Sequence, residues 1–233
     1  MTAVYFLVGM VLFWSILLTA IFRLEKRMVW PYGELESAPA FPDETGYGAR
    51  SVAAASAAGF TLFGWARDLK GKTYKVSYAM LMAPEGDVFA VVGAGSVARI
   101  PLNAVWLFTR TSDGRCFYSA DNQSAIQIDS SGHWKNQLVP AAPFNQLLSE
   151  HRLWLQENAA MVLPFSRQHE IEELRDLRTE HYRFLQRAGL IEFTDASLTY
   201  FRFTLLGAFR TATRGYFLGM ARKLSSGRFP RTA

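Results

Sequence analysis

The side chains able to do chemistry are few and scattered. Four histidines are present, His133, His151, His169 and His181, with one cysteine, Cys116. His169 and His181 lie twelve residues apart, which on one helix turns them about 120° from each other. His169 and Glu173 stand at i, i+4, a spacing that suits a shared metal but is met more simply by a solvated surface pair. Cys116 precedes Phe117 in an expected strand, where a free thiol packs as a small apolar group. A single cysteine also excludes an internal disulfide framework and suits a reducing compartment. No serine sits in a nucleophile elbow, and no acidic cluster suggests a hydrolase. These residues describe a chain that is not an enzyme and carries no catalytic residue, cofactor or metal.

One stretch does look like chemistry. Val88–Ala98, VFAVVGAGSVA, sets Gly93, Gly95 and Ala98 after an expected strand. The pattern G-x-G-x-x-A resembles the dinucleotide-binding fingerprint over these dozen residues. The resemblance implies backbone amides closing on a pyrophosphate at a helix N-terminus, with Asp113 about twenty residues on as the ribose-binding acid. Pro101 would then sit inside the following helix, at a cost of about 3 kcal/mol. Asp113 falls in an Asp-Gly hairpin signal, and the strand before the glycines is paired through Pro84-Glu85-Gly86-Asp87 to another strand. The residues therefore read as a Gly-rich turn between strands. A ligand- or nucleotide-binding enzyme domain using the Gly93–Gly95 loop stands as the alternative.

The second informative stretch is Asp195–Leu224. From Ala196 onward the chain has six Arg and one Lys and no acid, so this part carries +7 and the rest of the +5 chain sums to −2. Asp195 is a suitable N-cap, opposite in charge to a helix N-terminus. Arg202, Arg210, Arg214, Arg222 and Lys223 supply charge among Phe201, Phe203, Phe209, Tyr216, Phe217 and Met220. Gly207, Thr211, Gly215 and Gly219 recur every four residues, a stripe that permits close helix approach. The first reading is a helix covering a sheet with its arginines turned outward. Contact of these basic residues with an anionic membrane surface comes second, and membrane-tethered nucleic-acid binding third.

The elements that would position these residues start with Val4–Phe22, an uncharged apolar run of nineteen residues. At 1.5 Å per residue it makes about 28 Å of helix, close to a bilayer's hydrocarbon thickness. It reads as a retained transmembrane signal-anchor. A cleaved signal peptide would need a basic n-region and a shorter core. Arg23, Lys26 and Arg27 flank the run on one side only, with Trp30 beyond them at headgroup level. The positive-inside rule then puts the N-terminus outside and the bulk of the chain in the cytoplasm.

Residues 31–58, rich in Pro, Gly, Ala and Ser, read as a linker. Phe60–Arg67, Tyr74–Met82, Val88–Val92, Asn103–Arg110, Cys116–Ser119 and Ala125–Ile128 are expected strands separated by turn signals, an antiparallel β-meander. After Pro143 the apolar spacing turns helical, and a second helix over about 167–188 ends at Gly189 in a left-handed cap. The fold class is α+β: an N-terminal transmembrane helix, then an antiparallel β-meander followed by two or three helices. Its segments are 1–30 (anchor), 31–58 (linker), 59–165 (cytoplasmic domain), 166–224 (helical region) and 225–233 (basic tail). The function expected is a single-pass membrane protein acting as a non-catalytic interaction or scaffolding module. Its partners would be the lipid bilayer and unidentified proteins, with nucleic acid the least favoured.

Overall fold

The structure, a computed structural model, describes residues 2–39, 43–70, 72, 74–97, 99–122, 133–159 and 161–213, with the backbone alone for 2–4 and 6–8. In chain order the elements are α1 (Thr2–Leu24), β1 (Arg27–Met28), β2 (Tyr32–Glu36), α2 (Tyr47–Ala57), β3 (Thr61–Asp68), β4 (Tyr74–Met82), β5 (Phe89–Val97) and β6 (Ile100–Thr111). There follow β7 (Cys116–Ala120), β8 (Trp134–Leu138), α3 (Phe144–Asn158), β9 (Val162–Leu163), α4 (Glu170–Arg187), β10 (Ile191–Phe193), β11 (Tyr200–Phe203) and α5 (Leu205–Arg210). They divide into two units, Trp30–His181 and Met1–Val29 with Tyr182 onward.

The sheet unit, Trp30–His181, is ordered β2-β3-β4-β5-β6-β7-β8, with β9 paired to β6. Hairpins link β3 through β7, and two of their turns have the required chemistry. Ala83 N donates to Val88 O across a turn in which Gly86 has φ 74. Thr111 N donates to Arg115 O across Thr111–Gly114, where Gly114 has φ 77. The expected strands from 60 to 119 and the meander order are present, with β5 and β6 longer than the expected strands there. Ala125–Ile128 lies outside the described residues. The meander has one exception: β8 joins β7 in parallel.

The strands of this sheet are apolar on both sides because helices cover both sides. Along β4, Val76, Tyr78, Met80 and Met82 join Phe89, Val91, Phe108, Tyr118 and Trp134 in one core, closed by Leu174 of α4. The alternate residues Ala79 and Leu81 join Ala90, Val92, Val105 and Leu107 in a second core, closed by Ala55 of α2 and Phe144, Leu147 and Leu148 of α3. The period-two alternation of a strand thus feeds two cores from one run of sequence. Residues 31–58, read as a linker, hold β2, which pairs with β3, and α2, which packs on the sheet.

The other unit is a three-stranded antiparallel sheet, β1-β11-β10, with helices α1 and α5. Asp195 does not cap a helix. Its carboxylate accepts from Tyr200 N (2.9 Å) and Thr199 N (3.2 Å), tying the β10–β11 turn. The helix begins nine residues later at Thr204, whose hydroxyl accepts from Gly207 N at 3.1 Å.

The transmembrane expectation is overturned. Among the described residues no helix is long and apolar enough to cross a membrane. The membrane, transmembrane, single-pass and signal-anchor assignments go with it, as does the N-out placement of a cytoplasmic domain. Nor is α1 a free-standing anchor. Ser15 and Thr19 on one face are only 8% and 7% exposed, and their hydroxyls bond Val11 O and Ser15 O within the helix. Ser15 and Thr19 mark the face of α1 that packs within its unit.

Candidate functional site

Several polar and titratable groups of the sheet unit are held inside the fold, among them Asp68, Thr109, Ser119, Asp121, His151 and His181. On α3 the buried positions Phe144, Leu147, Leu148, His151 and Leu155 form one face, so the imidazole of His151 enters the core. Its Nδ1 lies 2.7 Å from Ser119 Oγ and its Nε2 3.0 Å from Thr109 Oγ1. Ser119 Oγ is also 2.9 Å from the Gln137 amide, and Thr109 donates to Asp87 O at 3.0 Å. Ser119 Oγ donates to Gln137 Oε1 and Thr109 Oγ1 donates to Asp87 O, so each nitrogen of the His151 ring faces a hydroxyl oxygen. Burial, helped by Arg152, holds the imidazole down at about 3, so the neutral ring persists.

A serine hydroxyl within hydrogen-bond reach of an imidazole is the pairing that activates a nucleophile in acyl transfer. Here Thr109, Ser119 and His151 are all fully buried. Ser119 is closed to solvent, and the far nitrogen meets the Thr109 hydroxyl. The network joins α3 to β6 and β7 as a buried polar core.

The remaining groups follow the same pattern. His181 of α4 stacks on Trp134 with centroids 4.2 Å apart, and His133 lies parallel to it at 6.3 Å. Burial first, then Arg178 and His133, pushes the His181 imidazole well below its ordinary range. Burial pushes the Cys116 thiol up, which removes the thiolate that reactivity needs. Tyr78 donates to Asp68 at 2.6 Å and Tyr47 donates to Asp121, whose other oxygen accepts from Val105 N. Burial raises both phenols and the Asp121 carboxyl. His169 starts the turn into α4, and Glu173 accepts from Ser166 and pairs with Arg110. Among the described residues no group of three or more His, Cys, Asp or Glu is placed to hold a metal.

The glycines of the nucleotide-like motif sit inside β5, not in a turn and not at the head of a helix. Gly93 pairs with Tyr78 and Ala104, and a Cβ there would come within 2.6 Å of the Trp106 ring. Gly95 has φ 146, and its Cβ would overlap the Lys75 carbonyl oxygen. Both are glycine because neighbouring strands and an indole occupy the side-chain space. Pro101, the residue that counted against a following helix, lies in β6. The chain matches no protein-family model, no curated protein and no solved structure.

The residues expected to flank a membrane have partners within their own units. Arg23 donates to Phe203 O at 2.9 Å and pairs with Glu192. Lys26 lies over the Tyr200 ring, and Arg27 pairs with Glu25 and faces the rings of Phe22 and Phe203. Trp30 packs against the sheet core beside Tyr32, under Arg175. Of the basic residues expected at a membrane surface, Arg202 lies exposed on β11 and Arg210 exposed on α5. Arg214, Arg222 and Lys223 lie outside the described residues.

What sequence reasoning missed is the sidedness of α1. Met10, Phe13, Trp14, Leu17, Ile21 and Leu24 are all exposed. Their spacing places them on the side opposite Ser15 and Thr19. The signal was available in the two hydroxyl residues four apart, which mark the packed face.

Proposed function

We propose that the chain is a non-catalytic interaction module. The sheet unit is the rigid scaffold, and α1 presents its outer apolar stripe to a partner protein. The observation that carries this reading is the exposure of Met10, Phe13, Trp14, Leu17, Ile21 and Leu24 opposite Ser15 and Thr19, with Leu12 and Ile16 exposed beside them on the same helix. A contiguous apolar surface of this kind marks a contact site. A large aromatic such as Trp14 within it is the sort of residue on which binding energy concentrates. The sealed histidine, tyrosine and cysteine side chains of the sheet unit agree with a scaffold role.

A photo-crosslinking residue placed at Phe13 in the full-length protein tests it, with Ile100, exposed on β6, as the control position. The expected result is a discrete adduct with one partner from Phe13, absent from Ile100 and lost when Leu17→Asp is added. Identical adducts from both positions, or none from Phe13, would overturn the proposal.

A further inference from the structure

The exposed side of α1 has a regularity besides its apolarity. Met10, Trp14, Leu17, Ile21 and Leu24 follow one another at intervals of four, three, four and three residues, and all five are 37–77% exposed. Alternating fours and threes average about 3.5 residues, the seam spacing on which one helix packs along another. At about 100° per residue the five fall within an arc of about 80°, a single narrow stripe. Such a stripe fits a second helix with the same spacing.

Charge and area both favour an identical helix. The positions beside the seam hold Val11, Phe13, Leu18 and Ala20, so no charge borders it. Flanking charges are what select one partner helix over another and hold like helices apart. Without them nothing in the seam rejects a copy of itself. At about 200 Å² for each large side chain, the seam with Val11 and Phe13 exposes about 700 Å². Each partner in a standard interface contributes about 800 Å².

Bulk decides the direction. A parallel pair would put two Trp14 indoles in one layer and bring together the two exposed Lys26 side chains just past the same helix end. Reversed, Trp14 meets the partner's Leu17 and Met10 meets the partner's Ile21, so the largest side chain faces a smaller one. Reversal also sets helix ends of opposite polarity side by side. We propose that two copies of the chain pair through α1, antiparallel, about a twofold axis between Trp14 and Leu17. The pairing names the occupant of the outer stripe, and it rests on the reading of that stripe as a contact site. Two heptads make a short seam, which corresponds to a dissociation constant on the order of 10 μM.

Sedimentation equilibrium of the full-length protein from about 1 to about 100 μM decides it. The expected mass rises from 26.2 kDa toward twice that value. Leu17→Asp should weaken association at least about thirtyfold. Leu12→Asp, exposed on the far side of α1, should leave it unchanged. A monomer throughout, or equal loss from both variants, would overturn the pairing. Direction is read by mixing Met10→Cys with Ile21→Cys proteins under mild oxidation, the native Cys116 being buried. The expected product is the mixed disulfide, told from either self-disulfide by mass, and self-disulfides in its place would overturn the antiparallel arrangement. The photo-crosslinker at Phe13 separates this inference from the reading beneath it. Adducts of twice the chain mass support both. Adducts to a different protein overturn the pairing alone, and no adduct overturns both.

Discussion

The sheet unit and the α1 unit treat the same kinds of residue in opposite ways. Between β6, β7 and α3 the sheet unit takes a serine, a threonine and a histidine fully inside and sets them against one another. It closes apolar residues on both faces of every central strand. The α1 unit turns two hydroxyl residues inward, bonds them to their own helix, and leaves an apolar stripe facing out. Side-chain type alone therefore misleads about role. A Ser–His pair can be buried away from solvent, and an aliphatic helix can keep much of its surface exposed. Accessibility separates the two cases, and accessibility belongs to the tertiary structure.

The sharpest way to break the contrast is to deny the sheet unit its close approach. Gly95→Val would drive a side chain into the Lys75 carbonyl from a backbone at φ 146. Urea unfolding should show a loss of about 4 kcal/mol or outright failure to fold. Gly114→Ala, at φ 77 with open space around it, should cost only about 1 kcal/mol. A similar penalty for both would mean that β4 and β5 are not packed as described.

Acid probes the buried imidazoles next. Above about pH 6.5 the His151 ring is neutral folded and unfolded, so its contribution is fully present. Between 6.5 and about 3 the unfolded ring takes a proton that the folded one refuses. Stability should then fall by up to about 1.4 kcal/mol per pH unit for each such ring, or about 2 kcal/mol from His151 between pH 7 and 5. His181, shifted in the same direction, adds to the fall. Denaturant melts of His151→Gln across this range should show a shallower pH slope, and an unchanged slope would place the ring in contact with water.

Smaller effects are expected in the α1 unit. Arg23→Ala removes the bond to Phe203 O and the partly exposed pair with Glu192, and should cost about 1 kcal/mol by thermal melt. Leu17→Asp, on the outer stripe, should change stability by less than about 0.5 kcal/mol while abolishing the crosslink from position 13. A large destabilisation by Leu17→Asp would show that the stripe is packed within the protein.

Much of the sheet could be read from local chemistry. Tyr74–Met82 begins and ends as expected because β-branched and aromatic residues run between two turn signals. Gly189 takes φ 70 and Leu190 N bonds Leu185 O, the left-handed stop expected for α4. β2 and β8 escaped notice: YGELE and WKNQL carry little strand pattern, and their places come from pairing with β3 and β7. β11 escaped for a related reason. Tyr200–Phe203 alternates like a strand but lies in a stretch whose apolar residues and arginines suggested a helix from Asp195.

By itself the sequence determined the α+β class, the hairpin turns, the helical run at the N-terminus and the basic C-terminal stretch, because each follows from residues close together in the chain. Only the tertiary structure decided that the glycines of Val88–Ala98 are strand packing, that the imidazoles of His151 and His181 are buried, and that Ser15 and Thr19 turn one face of α1 inward. Those outcomes depend on which distant segment occupies the space beside a residue, and no local pattern carries that information.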